Sequence, residues 1–91
     1  YAASKAAINA ATIGFAREFA PYNIRVNAVS PGIIDTDAQK NISNERRKMV
    51  EKSLPFKRMG KPEEVGKTIA WLLSDDASYI SGSIISVSGA R

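Results

Sequence analysis

Apolar residues recur one turn apart early in the chain. Ile8, Ala11, Phe15 and Phe19 fall at helical spacing and predict a first helix from about Tyr1 to Ala20 with an apolar stripe. Its other positions are unusually small (Ala2, Ala3, Ala6, Ala7, Ala10, Gly14, Ala16), which lets another helix or a sheet approach closely. Pro21 ends the helix because it has no N–H to donate, and Asn23 suits the left-handed turn that follows. The period then changes. Ile24, Val26 and Ala28 alternate with Arg25 and Asn27, predicting a strand over Ile24–Val29 that Pro31-Gly32 breaks. From Asp37 to Lys61 the pattern is loose and polar, with a short helix near Asn44–Ser53 behind Ser43 as N-cap. Pro62 suits the first position of a third helix, and Glu63 and Glu64 complement its dipole. Val65, Ile69, Leu72 and Leu73 are its expected buried stripe, with Trp71 off-centre, at a subunit contact or the domain edge. Ser74-Asp75-Asp76 closes that helix, and Ser83–Ser88 reads as the last strand. Strand, helix and strand in that order, with no hairpin turn between, predict an α/β fold. Residues 24–29 and 83–88 should be parallel neighbours, joined by a right-handed crossover that includes the Pro62 helix.

Composition narrows the chemistry. Of the 91 residues, 44% are hydrophobic and 24% charged, as in ordinary globular domains. No apolar run approaches the roughly 18 residues of a membrane span, and nothing reads as a signal peptide, so no membrane partner is expected. Without cysteine there is no disulfide or thiolate chemistry, which fits a cytoplasmic protein. Without histidine, and with carboxylates that do not cluster, no metal site is expected. The net charge of +4 is uneven: Lys40, Arg46, Arg47, Lys48, Lys52, Lys57, Arg58 and Lys61 face only Glu45 and Glu51 across residues 40–61. Such a run is either a solvated helix face or an attractor for an anionic substrate. Nucleic acid is not the expected partner, because Phe56 alone interleaves these charges.

The chain opens on Tyr1-Ala2-Ala3-Ser4-Lys5, which sets a phenol and an ammonium four positions apart on one helical face. A free tyrosine, with a pKa of about 10, is a poor acid–base catalyst near neutrality. A neighbouring ammonium favours the phenolate and brings it toward working pH. Alone, the spacing reads as a surface pair. After it, however, come Ile24-Arg25-Val26-Asn27-Ala28-Val29-Ser30-Pro31-Gly32, then Asp35-Thr36, then Arg58-Met59-Gly60-Lys61-Pro62-Glu63-Glu64-Val65, then Ser81-Gly82. In that order and spacing, over essentially the whole chain, the sequence resembles the C-terminal part of a short-chain dehydrogenase/reductase. It is most similar to the branch of 3-oxoacyl-carrier-protein reductases and sugar or polyol dehydrogenases.

The resemblance implies the C-terminal part of a Rossmann-type, doubly wound parallel sheet, with residues 1–91 as the substrate-side segment of one domain. The dinucleotide-binding half, with its glycine-rich phosphate loop, is absent from this sequence, and no G-x-G-x-x-G occurs in it. By the same resemblance the activity is carbonyl–alcohol interconversion with NAD or NADP. Tyr1 acts as acid or base, and Lys5 tunes it and binds the nicotinamide ribose. The segment after Pro31-Gly32 meets the nicotinamide, the Ile34 backbone lying at the carboxamide and the Thr36 hydroxyl near the carboxamide or pyrophosphate. The substrate is a small carbonyl compound or alcohol, including an anionic acyl thioester, under a mobile lid formed by residues 37–61. A homo-oligomer, dimer or tetramer, is implied. The activity belongs to a full-length parent and not to residues 1–91 alone. Two other readings stand beside it: a non-catalytic oligomerisation piece, and a basic interaction module acting through residues 40–61. The end of the chain, Val87-Ser88-Gly89-Ala90-Arg91, departs from the Val-Asp-Gly-Gly common in relatives and lacks its carboxylate.

Overall fold

The computed structural model describes residues 1–91 with the exception of the Ala38 side chain. Helix α1 spans Ala2–Phe19, and a 3-10 turn, Ala20–Tyr22, carries Pro21 out of it. Asn23 takes the left-handed conformation (φ 58°, ψ 36°), and its N–H bonds to Ala20 O at 2.9 Å, so the residue type expected to make this turn does so. Strand β1 is Ala28–Pro31, α2 is Asn44–Ser53, α3 is Pro62–Leu73 and β2 is Ile84–Val87. Ser43 caps α2, its hydroxyl accepting from Arg46 N at 3.1 Å. At the start of α3, Glu64 accepts from Lys61 N at 2.9 Å; a lysine cap has no acceptor to return the bond.

The two strands pair in parallel, Ala28 with Ile84 through Pro31 with Val87, and α2 and α3 lie in the connection between them. Ala28 N donates to Ser83 O at 2.9 Å and Gly32 N to Val87 O at 3.0 Å. By the alternation of a ladder, Pro31 therefore has its missing donor on the side away from β2, where a proline costs no hydrogen bond.

The strand expected over Ile24–Val29 begins later, at Ala28, and runs on through Pro31, which pairs with Val87 instead of breaking the strand. Gly82, at φ +76°, takes the opposing chain out of extended conformation, so the regular ladder starts only at Ser83. Before that point one backbone bond, from Gly82 N to Val26 O at 2.7 Å, and a set of side chains hold the chain. Val26 N donates to Ser81 Oγ at 3.1 Å, Asn27 Nδ2 to Ile80 O at 2.9 Å, and Ser83 N returns to Asn27 Oδ1 at 3.0 Å. Arg25 reaches Ile80 O and Ser74 O from the same segment. These residues, read as the polar side of a strand, are clamps.

Packing also departs from the expected stripes. Among the described residues, the buried ones are Thr12 and Ala16 of α1, Leu54, Met59, Leu72 and Ala77. Ile8 and Phe15 of the α1 stripe are exposed, as are Ile69 and Leu73 of the α3 stripe, Leu73 by 78%. The exposed surface is 6904 Å², against roughly 5,200 Å² for a compact chain of this mass. The radius of gyration is 15.8 Å, against about 12 Å. Periodicity marked which faces are apolar, but only part of each finds a covering element among residues 1–91. Among the described residues, no helix is long and apolar enough to cross a membrane, and no group of His, Cys, Asp and Glu is placed to hold a metal.

Candidate active site

Helix α1 lies against the strand pair with its start at the C-terminal end of β1. Two contacts fix that direction. Lys5 Nζ is 3.4 Å from Ser30 Oγ near the end of β1, and a Cβ placed on Gly82, just before β2, would lie 3.4 Å from Ala16 Cβ. The short side chains of α1 permit this approach. Tyr1 therefore stands at the carboxyl ends of parallel strands, where open α/β sheets place their ligands. Lys5 N bonds to Tyr1 O at 3.0 Å, closing the first turn, and Lys5 Nζ lies 5.6 Å from the centroid of the Tyr1 ring, within cation–π reach. Tyr1 is 93% exposed, so its phenol is open to a reacting molecule.

Past Ser30, the chain turns at Pro31-Gly32 so close to β2 that only glycine fits. Residues 33–35 then run beside Gly60: Gly60 N donates to Ile33 O at 2.9 Å and Asp35 N to Gly60 O at 2.8 Å. This bridge pins together the two ends of the segment read as a lid. Between those bonds, Ile34 has its N–H turned to the opposite side, and Thr36, exposed, leaves its hydroxyl free of any capping bond to the 3-10 turn Asp37–Gln39. Lys5, the Ile34 N–H and the Thr36 hydroxyl are thus available donors along one end of the sheet. That donor set suits the amide and hydroxyl oxygens of a nicotinamide nucleoside, so these residues fit the cofactor the sequence implied.

The basic stretch is less free than its charge suggested. Arg47 of α2 bonds Asp35 Oδ2 at 2.6 Å and Glu51 Oε1 at 3.1 Å. Its hydrogen bond holds the Asp35 carboxyl below the ordinary carboxylate range and raises the guanidinium in turn. Arg58 grips both oxygens of Glu64, at 2.7 and 3.0 Å, and this fork, followed by the bond from Lys61 N, brings Glu64 down to about 2. Lys40 pairs with Asp37 at 2.8 Å. The Arg47–Glu51 and Lys40–Asp37 pairs are local, at i,i+4 and i,i+3. The roles of Ser30 and Asp35 required the tertiary approach of α1 and α2.

The chain belongs to the short-chain dehydrogenase/reductase family. A family model described as enoyl-(acyl carrier protein) reductase matches residues 1–89. The chain is 44% identical over 89 residues to a 3-oxoacyl-[acyl-carrier-protein] reductase of Thermotoga maritima, covering 98% of this chain and 36% of that protein. It superposes on the crystal structure of a 3-oxoacyl-[acyl-carrier protein] reductase from Brucella melitensis with a TM-score of 0.90 at 39% identity, over 99% of this chain and 34% of the other. A TM-score of 0.83 at 34% identity relates it to YwfH, an NADPH-dependent reductase involved in bacilysin biosynthesis, over 93% of this chain and 36% of that one. The chain thus spans little more than a third of the length of these relatives.

Proposed function

We propose that residues 1–91 form the substrate-side, C-terminal part of a single Rossmann-type domain in an NAD(P)-dependent oxidoreductase that interconverts a carbonyl and a secondary alcohol. The observation that carries this reading is the 3.4 Å contact from Lys5 to Ser30, which holds the Tyr1–Lys5 turn beside the Pro31-Gly32 segment. When bound, the nicotinamide supplies or accepts the hydride at the carbonyl carbon. Tyr1 gives its phenolic proton to the carbonyl oxygen in reduction and takes it from the alcohol in oxidation. Lys5 holds positive charge beside the ring and so stabilises the phenolate left behind; its ammonium also binds the nicotinamide ribose. The Ile34 N–H holds the carboxamide, and the Thr36 hydroxyl lies by the carboxamide or pyrophosphate. Pro31 and Gly32 set the backbone that presents them.

The substrate class this reading favours is an anionic acyl thioester. Similarity to 3-oxoacyl-carrier-protein reductases supports it, as do the cations of residues 40–61 that make no ion pair, among them Arg46, Lys48 and Lys52. The phosphate-binding half of the domain lies in the rest of the protein, and the exposed apolar faces of α1 and α3 are covered there and by a second copy, making a homo-oligomer. The test is Tyr1→Phe in the full-length protein, which keeps the ring and removes the hydroxyl. Turnover should fall by orders of magnitude, on the order of a hundredfold or more, with NADH or NADPH still bound. Near-normal turnover would show that Tyr1 is not the proton donor.

A further inference from the structure

Helix α2 and the segment that carries Ile34 and Thr36 are tied by one side chain. Arg47 leaves the inner face of α2, half-buried, and its Nη2 meets Asp35 Oδ2 at 2.6 Å, while its Nε meets Glu51 Oε1 at 3.1 Å on the same helix. Glu51 holds the guanidinium from behind, so its free edge is aimed at Asp35. On its other side Asp35 is fixed through its backbone, its N–H donating to Gly60 O at 2.8 Å. Asp35 sits between the two residues whose N–H and hydroxyl are available to a ligand, so a backbone shift at Asp35 moves Ile34 and Thr36 with it. The remaining ties of residues 37–53 to the body of the molecule are sparse. The 3-10 turn Asp37–Gln39 leads away, its Lys40–Asp37 pair is local and exposed, and the Ser43–Arg46 cap bond is local too; at the other end of α2, Lys52 O accepts from Lys57 Nζ at 2.7 Å and buried Leu54 follows.

The geometry points to Arg47 as a positioning residue that couples the substrate lid to the cofactor segment: α2 seats only when Asp35 is in the place that presents Ile34 and Thr36 to the nicotinamide. This inference rests on the proposed oxidoreductase reading and extends it, since neither Arg47 nor Asp35 touches the reacting atoms. Coupling of this kind is reciprocal. A molecule that orders residues 34–36 orders α2, and releasing α2 weakens that molecule's binding. The contact is an ion pair about one-third exposed on the arginine side, so the effect on affinity should be modest, about three- to tenfold.

Hydrogen exchange of the full-length protein with and without NADPH, repeated with NADH, tests this. In the wild type, dinucleotide should slow exchange at residues 31–36 and at the α2 amides of residues 44–53. In Arg47→Ala the slowing at 31–36 should persist while that at 44–53 is lost, and the dissociation constant should rise about three- to tenfold. Asp35→Asn should reproduce the loss from the other end of the contact, and Arg47→Lys should restore part of it. Slowing of 44–53 that is the same in Arg47→Ala as in the wild type would overturn the coupling and leave the oxidoreductase reading intact. Absence of slowing at 31–36 in the wild type with either dinucleotide would overturn that reading and this inference with it.

Discussion

Gly32 and Ser88 come so close that a Cβ on residue 32 would lie 2.8 Å from Ser88 Cα, 2.9 Å from its Cβ and 3.2 Å from its carbonyl oxygen. Two of these three are backbone atoms at the ends of paired strands, so no rotamer change relieves the clash. Gly32→Ala should therefore destabilise the protein by about 1–3 kcal/mol through overpacking. The same change should displace the segment leading to Ile34 and Thr36. Thermal unfolding of the variant checks the first expectation and dinucleotide affinity the second. Adding Ser88→Gly should recover little, because it removes the Cβ and leaves the closer Cα.

Asn27 uses both ends of its amide across the approach of β1 to β2, donating to Ile80 O and accepting from Ser83 N. Removing the amide leaves the Ser83 N–H without its partner and the Ile80 carbonyl with only the longer bond from Arg25, at 3.3 Å. Asn27→Ala is expected to cost about 1–3 kcal/mol. Asn27→Asp should not repair the loss, since it keeps the acceptor for Ser83 but sets a carboxylate against the Ile80 carbonyl. Chemical unfolding of the two variants distinguishes this clamp from simple side-chain packing, under which Asp would serve nearly as well as Asn.

The Arg58–Glu64 fork makes stability depend on acid pH. Folding lowers the Glu64 carboxyl from its ordinary 4.5 to about 2, so the folded state favours the ionised form. A lowered carboxyl contributes stability that is fully present above about 4.5 and is lost as the pH falls toward about 2. The difference in Tm between the wild type and Glu64→Gln should thus be largest near neutrality and shrink across that window. A difference that stays constant from pH 7 to the acid limit would show that the pair contributes nothing through charge.

Residues 1–91 by themselves should neither bind NADH or NADPH tightly nor transfer hydride. Two strands leave sheet edges without ladder partners, and α1 leaves Ile8 and Phe15 uncovered. In the proposed reading the donors at Lys5, Ile34 and Thr36 would address only the nicotinamide end of a dinucleotide, and no G-x-G-x-x-G occurs in residues 1–91 for its anionic half. Calorimetric titration decides it: micromolar binding of either dinucleotide to the isolated chain would refute the expectation.

Much of the architecture was legible in the residues because its causes are local. Asn23 turns left-handed, Ser43 caps α2 and Pro62 opens α3, each through a steric or hydrogen-bonding property the residue carries with it. The order of these elements sufficed to predict parallel pairing, and Tyr1 and Lys5 share a helix face by spacing alone.

Other features depend on what approaches from a distance, which periodicity does not record. Gly82 leaves extended conformation, and residues 24–27 are held by its single backbone bond to Val26 and by the side chains of Asn27 and Arg25 instead of joining the regular ladder. The apolar stripes of α1 and α3 were visible as patterns, but a pattern marks a face and cannot supply its cover, so Ile8, Phe15, Ile69 and Leu73 stay exposed here. Charge was read as a run along residues 40–61. Only the fold brought Asp35 to Arg47 and Glu64 to Arg58, turning part of that run into fixed pairs. An ion pair needs its partner within a few ångströms, and for Asp35 and Arg47, twelve positions apart, the return of α2 onto the Gly60 bridge sets that distance.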